Sequence, residues 1–315
     1  MNTTNLSLTN LHTSYYKNKT VLVTGGAGFI GSHIVDRLVA CGADVRVMDN
    51  LRTGRIDNLF TSAQQVTFQK ADIRDATACE KLTAGVSHIF HTAAMVSVPE
   101  SIDNPQLCED INNNGTRTLY EAAGRNSVQS IVFSSSCAVY GAREGVCKEE
   151  DETAPSSPYA QSKLTGEQLG KAIAQRGNIS VANLRYFNVH GPRQSALGPY
   201  AGVVAAFTKR LKKGDEITIH GDGSQTRDFI HVDDVVTANL QAGLATQLRG
   251  QTINVASGTS VTLLELLKNL EHELGVCAPT ITHGPARAGD IQHSQAATDR
   301  LARLLAFRPQ SATQK

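Results

Sequence analysis

Nothing in this 315-residue sequence approaches the run of about 20 apolar residues that a membrane-spanning helix needs. Charge of one sign is equally scarce. The 30 Lys and Arg stand against 29 Asp and Glu, a formal net charge of +1, and the basic residues are scattered. That balance argues against nucleic acid or an anionic membrane as the main partner. The six cysteines, at positions 41, 79, 108, 137, 147 and 277, have no metal-type spacing and suggest no disulfide framework. No metal is therefore expected, and a reducing, cytoplasmic compartment fits. Nucleophile elbows and internal repeats are also missing. Residues 1–18 are rich in Asn, Thr and Ser, lack a basic start and an apolar core, and read as a disordered tail rather than a signal peptide. What remains, 40% hydrophobic and 19% charged, is ordinary for a soluble globular protein of one large domain or two.

The first positive signal is Val21-Leu-Val-Thr-Gly-Gly-Ala-Gly-Phe-Ile-Gly31. A short apolar run, 20–23, reads as a buried strand and 29–40 as a helix. Between them Gly25, Gly28 and Gly31 follow a Gly-x-x-Gly-x-x-Gly spacing. The turn needs a residue without a Cβ, a pyrophosphate must reach the backbone, and the helix must pack close to the strand. The helix N-terminus then offers free N–H groups to phosphate. A second strand, 44–48, leads to Asp49, at the distance expected for a carboxylate that holds an adenosine ribose. Strand, glycines, helix, strand and acid in this order indicate a dinucleotide. Asp49 would repel a 2′-phosphate, which favours NAD over NADP, although Arg46, Arg52 and Arg55 lie close by in sequence.

A second apolar strand, Val132-Phe-Ser-Ser-Ser-Cys-Ala-Val-Tyr-Gly141, runs out into three serines at what would be the carboxyl end of a parallel sheet, where ligands bind in open α/β folds. Ser136 is the one expected against a substrate oxygen. Ser134 and Ser135 are read as strand-end hydroxyls bonded to backbone, and Cys137 as packing. Then comes Ser157-Pro-Tyr-Ala-Gln-Ser-Lys163, in which Tyr159 and Lys163 lie four apart on one helix face. A cation beside a phenol favours the phenolate and lowers a pKa otherwise near about 10, so the phenol can act as a base. Alone, the pair is better read as a tyrosine packing beside a solvated lysine. The other two motifs change that balance.

Strand-like runs at 66–68, 87–91, 130–133 and 180–186 alternate with helical patterns near 33–41, 76–84, 105–125 and 157–176. The alternation predicts an α/β fold, a Rossmann-type doubly wound parallel sheet with a smaller, interleaved C-terminal lobe. The expected division is a nucleotide domain over 19–190 and a substrate lobe over 191–315, with 228–256 returning to the first domain. Thr262 with Glu265 forms a capping box. Asp233 and Asp234 read as a helix N-terminus, and His91, His190 and His231 as structural.

Together these residues resemble the extended short-chain dehydrogenase/reductase family, and within it the NAD-dependent nucleotide-sugar 4-epimerases. The resemblance runs from residue 19 to about 310. It rests on Thr24-Gly-Gly-Ala-Gly-Phe-Ile-Gly31, Ala71-Asp-Ile73, His91-Thr-Ala-Ala94, Asn114-Gly-Thr116, Ser134-Ser-Ser136, Tyr159 with Lys163, Arg185-Tyr-Phe-Asn188, Arg227-Asp-Phe-Ile-His-Val-Asp-Asp234 and Arg287-Ala-Gly-Asp290. It implies a cofactor site of Gly25, Gly28, Phe29, Ile30, Gly31, Asp49, Asn50, Thr53, Gly54, Asp72, Ile73, Thr92, Ala93, Ala94, Asn112, Ser134 and Tyr186, with Tyr159 and Lys163. It also implies that Tyr159 takes the proton of a sugar 4-hydroxyl, that Ser136 bonds the same oxygen, and that Lys163 holds the nicotinamide ribose. Asn188, Arg227 and Arg287 would meet the nucleotide diphosphate, Asp290 a ribose hydroxyl, and Thr218 and His220 the uracil. For His220 an exposed strand-end histidine is nearly as good a reading. Family members commonly dimerise through the helices that here are 105–125 and 157–176, so a homodimer is expected. Members usually continue past Leu305-Ala-Phe-Arg-Pro309 into a further helix; this sequence ends at Lys315, which is expected to weaken the substrate lobe.

Two departures bear on the reaction and the sugar. Dehydratases and decarboxylases of the family carry an acid soon after the strand-end hydroxyl, whereas Cys137 and Ala138 follow Ser136 here. Epimerases restricted to plain hexoses have a bulky tyrosine where this chain has Ser294, and often a lysine where it has Val96. A small residue leaves room for an N-acetyl group. The expected substrates are therefore UDP-N-acetylglucosamine and UDP-N-acetylgalactosamine, with UDP-glucose and UDP-galactose as further candidates. The alternatives are a UDP-glucuronate 4-epimerase, a nucleotide-sugar dehydratase, or a non-catalytic NAD-binding sensor, a class that typically loses the Tyr or the Lys.

Overall fold

A computed structural model describes residues 3–143, 145–177, 179–195, 202–285 and 292–309. Seven strands lie side by side in the order Gln251–Val255, Ser180–Tyr186, Ser130–Ser136, His88–His91, Thr20–Thr24, Asp44–Asp49 and Val66–Lys70. Every pairing is parallel. The chain starts in the middle, steps outward twice, and resumes on the other side of Thr20–Thr24. That reversal opens a crevice at the carboxyl ends of Thr20–Thr24 and His88–His91, where open α/β sheets hold ligands. The inner strands read as unbroken apolar runs because helices cover both faces: Val21, Leu22, Val23, Ile89 and Phe90 are fully buried.

The helices start where side chains satisfy their free N–H groups. Asp75 accepts from Thr77 and Ala78 at the head of Ala76–Thr83, and Ser157 accepts from Ala160 at the head of Pro158–Arg176, with Pro158 in the first turn. The capping box of Thr262 and Glu265 is present, and Asp233 and Asp234 occupy the first turn of Val232–Leu244. The helical stretch over 105–125 is interrupted by a π turn, Asp110–Asn114. Such single wide turns commonly sit near functional sites.

From residue 3 onward the N-terminal segment is not the disordered tail that the composition of 1–18 suggests. Thr3–Tyr16 is a helix. Tyr16 is fully buried and donates its hydroxyl to the Leu240 carbonyl at 2.7 Å, while Tyr15 bonds His88 at 3.0 Å. Leu8, His12, Tyr15 and Tyr16 fall at helical spacing, and packing of that face on the sheet and on Val232–Leu244 outweighs the low helix propensity of Asn, Thr and Ser.

A smaller group of elements stands over the crevice. Asn188–His190, Thr226–His231 and Ser260–Thr262 form a three-stranded sheet, and Ile217–His220 pairs with Ile281–Gly284. Phe207, Leu211, Ile217, Ile219, Phe229, Leu266, Leu267 and Leu270 make its own core. Among the described residues no helix is long and apolar enough to cross a membrane.

Candidate active site

A cleft of about 490 Å³ opens at the crevice. On one side the glycine turn forms its floor. Gly25 has φ +69°, and a Cβ there would stand 2.6 Å from the Ala93 nitrogen. A Cβ on Gly31 would stand 2.2 Å from the Gly25 carbonyl oxygen. Neither contact is possible, so the turn exists only with glycine at these positions. Phe29, Ile30 and the head of the helix Phe29–Ala40 line the cleft with Gly28. Next along, Asp49 is buried and accepts from the Ala27 and Leu51 amides at 3.0 and 2.8 Å. Burial raises its pKa, and the two amides oppose that rise. A Cβ on Gly54 would lie 2.8 Å from both Asp49 carboxylate oxygens, so the loop can close over the acid only as glycine.

The residues fit NAD better than NADP. Arg46 donates to the Leu82 and Ala84 carbonyls, Arg52 pairs with Glu100, and Arg55 pairs with Asp57. Arg46 and Arg55 are thus engaged outside the cleft, Arg52 lines it but is paired with Glu100, and the Asp49 carboxylate lines it where a 2′-phosphate would be repelled. Asn50 donates to Asp72 at 2.8 Å, and two-point bonding from Arg74 holds the Asp72 carboxyl well below the usual carboxylate range. Thr53, Ile73, Thr92, Ala93 and Ala94 complete this half of the lining.

At the other end the strand Ser130–Ser136 meets the helix Pro158–Arg176. Ser134, Ser136, Tyr159, Lys163 and Tyr186 all line the cleft. Lys163 donates to the Ser134 carbonyl at 2.8 Å, and its Nζ lies 5.8 Å from the centre of the Tyr159 ring. The expectation that this lysine lowers the phenol pKa is not met in this state. Burial pushes Tyr159 up to about 12 against a hydrogen bond with Ser136, and burial brings Lys163 down to about 8. Desolvation by burial is the largest cause of both shifts, so each group favours its neutral form.

Ser134 and Ser135 also depart from expectation, since their hydroxyls bond side chains rather than backbone. Ser134 meets the Tyr186 hydroxyl at 3.0 Å, which is in turn bonded to Asn239. Ser135 donates to Glu167 at 2.5 Å. Asn112, at the π turn, stands behind the cleft rather than in it. It accepts from the Met95 amide at 2.7 Å and donates to the Met95 carbonyl and to Ser162, tying the loop that follows His88–His91 to the helix carrying Tyr159. His91 is structural, bonded to Thr24 and Thr116 and kept neutral by burial, with its pKa near 3.

The sugar-side residues are less gathered. Val96 and Asn188 line the cleft, with Asn188 donating to the Asp228 carbonyl at 3.0 Å. Arg227, Thr218, His220 and Ser294 lie beyond its lining. Arg227 donates to the Thr226 carbonyl, and Thr218 accepts from Arg210 and Thr282. The His220 ring meets the Pro285 carbonyl at 3.3 Å, and the buried Ser294 pairs its amide with the Thr226 carbonyl. Arg287 and Asp290 fall outside the described residues. Among the lining residues that sequence reasoning missed, Met95, Val189 and Gln194 carry no motif, and Phe187 sits inside the Arg185-Tyr-Phe-Asn188 run with no role expected of it. Sequence reasoning also missed Asp228, a fully buried carboxylate that accepts from Ser257, Gly258 and Ala296 and ties three segments together.

Comparison with known proteins agrees with this geometry. The chain is 40% identical over 274 residues to a protein of Methanocaldococcus jannaschii described as a putative UDP-glucose 4-epimerase, covering 86% of this chain and 87% of that one. Among solved structures, a UDP-N-acetylglucosamine 4-epimerase from Methanobrevibacter ruminantium, in complex with UDP-N-acetylmuramic acid, superimposes with a TM-score of 0.88 at 36% identity over 94% of each chain. A Thermus thermophilus UDP-glucose 4-epimerase in complex with NAD gives 0.83 at 36% identity, covering 92% of this chain and 94% of that one. The profile that matches residues 21–256 takes in both the glycine turn and the Tyr159 helix, and by that match the chain belongs to the NAD dependent epimerase/dehydratase family.

Proposed function

We propose that the protein is an NAD-dependent UDP-sugar 4-epimerase. The observation that carries the reading is the meeting of Ser136, Tyr159 and Lys163 at one end of a cleft whose other end is a glycine cradle with a ribose-directed carboxylate. NAD, when bound, supplies the acceptor and donor of hydride for C4 of the sugar. Gly25, Gly28 and Gly31 would hold its pyrophosphate, Asp49 its adenosine ribose, Asp72 and Ile73 its adenine, and Lys163 its nicotinamide ribose.

Proton handling falls to the chain. Tyr159 must lose its own proton before it can take one from the 4-hydroxyl, and Lys163, one helical turn away, is the cation that stabilises the phenolate. That ammonium persists below pH about 8. Ser136 bonds the same sugar oxygen and keeps it facing the phenol. Once the 4-keto sugar has turned over, its C4 would offer the opposite face to the cofactor, and the phenol returns the proton to the same 4-oxygen. Asn188, Arg227 and Arg287 hold the diphosphate, about which the sugar rotates.

The absence of an acid at Cys137 and Ala138 favours epimerisation over dehydration or loss of CO2. Ser294, small and adjacent to the strand bearing Arg227, supports UDP-N-acetylglucosamine and UDP-N-acetylgalactosamine as substrates, and the neutral Val96 agrees. Incubating the protein with UDP-glucose, UDP-N-acetylglucosamine and UDP-glucuronate, with products followed by NMR, tests this. Conversion of the acetylated sugar is expected, with selective loss of it in Ser294→Tyr. Conversion of UDP-glucose alone would remove the assignment of substrate. The six free cysteines fit a reducing cytoplasm. A homodimer built on 105–125 and Pro158–Arg176 is part of the same proposal, and light scattering reads it directly.

A further inference from the structure

The helix Pro158–Arg176 meets the sheet through a face of small residues: Ala160, Gly166, Gly170 and Ala174 are buried along it. A Cβ on Gly166 would stand 2.2 Å from the Phe133 ring, and one on Gly170 would stand 2.8 Å from Val181. Such a face permits close approach, with Leu164, Leu169 and Ile173 packing on the core at its margins, and small residues at its centre leave the fine register along the strand to directional bonds. Lys163, bonded to Ser134, is one, and the reaction uses it. Tyr159, bonded to Ser136, is a second that the reaction uses, and a further one lies one turn beyond Lys163, at Glu167, which shares the face of Tyr159 and Lys163 and does not line the cleft.

Glu167 accepts the Ser135 hydroxyl at 2.5 Å and two guanidinium bonds from Arg185, at 2.8 and 2.7 Å. Both members of the ion pair are buried, with side chains 6% and 5% exposed. Arg185 also lies over the Tyr140 ring at 4.7 Å, and Tyr140 donates to Asn254 at 2.7 Å. The carboxylate therefore joins the helix to two neighbouring strands, and on one of them it holds Ser135, which lines the cleft between Ser134 and Ser136. A buried ion pair contributes little net stability over an apolar pair of the same size, and its best-attested use is to specify register.

We infer that Glu167 is a positioning residue: held by Arg185 and the Ser135 hydroxyl, it sets the depth at which the helix presents Tyr159 and Lys163 to the strand end bearing Ser136. The inference rests on the 4-epimerase reading above. Ser135→Ala is the mild test, because it removes one bond and leaves the ion pair intact, whereas Glu167→Gln strands a buried arginine and endangers folding. Two measurements on the full-length NAD-bound protein are needed. The first is kcat and KM on whichever of UDP-glucose or UDP-N-acetylglucosamine the wild type converts. The second is amide hydrogen exchange across 158–176, which needs no turnover.

Loss of a charge-assisted hydrogen bond is expected to lower kcat about tenfold with KM unchanged, and to speed exchange over 159–167 by a similar factor. Unchanged kcat and unchanged exchange would overturn the inference. So would a fall in activity fully accounted for by loss of folded protein. A wild type that converts neither sugar would count against the proposed function instead, and exchange alone would then decide the role of Glu167.

Discussion

On the nucleotide side of the cleft, backbone makes the site: Gly25, Gly31 and Gly54 each stand where a Cβ would collide with main chain or with Asp49. On the sugar side, side chains make it, carried on short strands of two to six residues in a separate small core. The first side brings nearly all its expected residues into one lining, whereas, of the expected sugar-binding residues that are described, Arg227, Thr218, His220 and Ser294 stay outside it and Val96 and Asn188 join Ser136 and Tyr159 within it. A site set by main-chain geometry tolerates no substitution at its glycines. A site set by projecting side chains can change sugar without changing fold, as the relatives with different named substrates illustrate.

The largest effect should separate chemistry from binding. Tyr159→Phe is expected to lower kcat by about 10³-fold, the range of a lost acid–base group, while NAD binding, measured by fluorescence titration, stays unchanged. A parallel loss of NAD would blur the two sides. Gly31→Ala should do the reverse, weakening NAD about a hundredfold through overlap with the Gly25 carbonyl, as isothermal titration would show.

Next in size is pH. With the Lys163 ammonium titrating near 8, kcat should fall about tenfold per pH unit above that value, because the phenolate then loses its cation. A rate that keeps rising to pH 10 would place the charge elsewhere.

The smallest effect concerns the carboxylates of the two sides. Asp228, raised to about 6 by burial against four donated hydrogen bonds, binds a proton in the folded state between pH 3.8 and 6 that the unfolded chain does not bind. Its contribution to stability is therefore present below pH 3.8 and is lost as pH rises through 6. Asp228→Asn should be destabilised relative to wild type by less at pH 7 than at pH 5, read as Tm. A deficit that grows with pH would mean that the four donors outweigh burial.

Much of this was legible in the residues, for physical reasons that differ by region. Gly25, Gly28, Gly31 and Asp49 announce themselves because only those residue types satisfy the turn and the ribose. The alternation of strand and helix announces the sheet. The helix Thr3–Tyr16 was hidden because its polar composition carries no helix signal of its own, and only packing of Tyr16 beneath Leu240 shows why it forms. The state of Tyr159 was hidden because spacing reveals a neighbouring cation but not the desolvation that outweighs it. Glu167 sat in plain view, eight residues past Tyr159, but its partners Ser135 and Arg185 come together only in the folded sheet.

The central claim is that one cleft oxidises and then re-reduces the same sugar carbon without releasing it. UDP-glucose or UDP-N-acetylglucosamine labelled with deuterium at C4, incubated with the NAD-bound protein in ordinary water, tests it most directly. The account predicts the C4 epimer with the deuterium still at C4, read by NMR and mass spectrometry. Loss of the label to solvent, or a deuterated substrate returned unchanged from a protein that holds NAD, would contradict it.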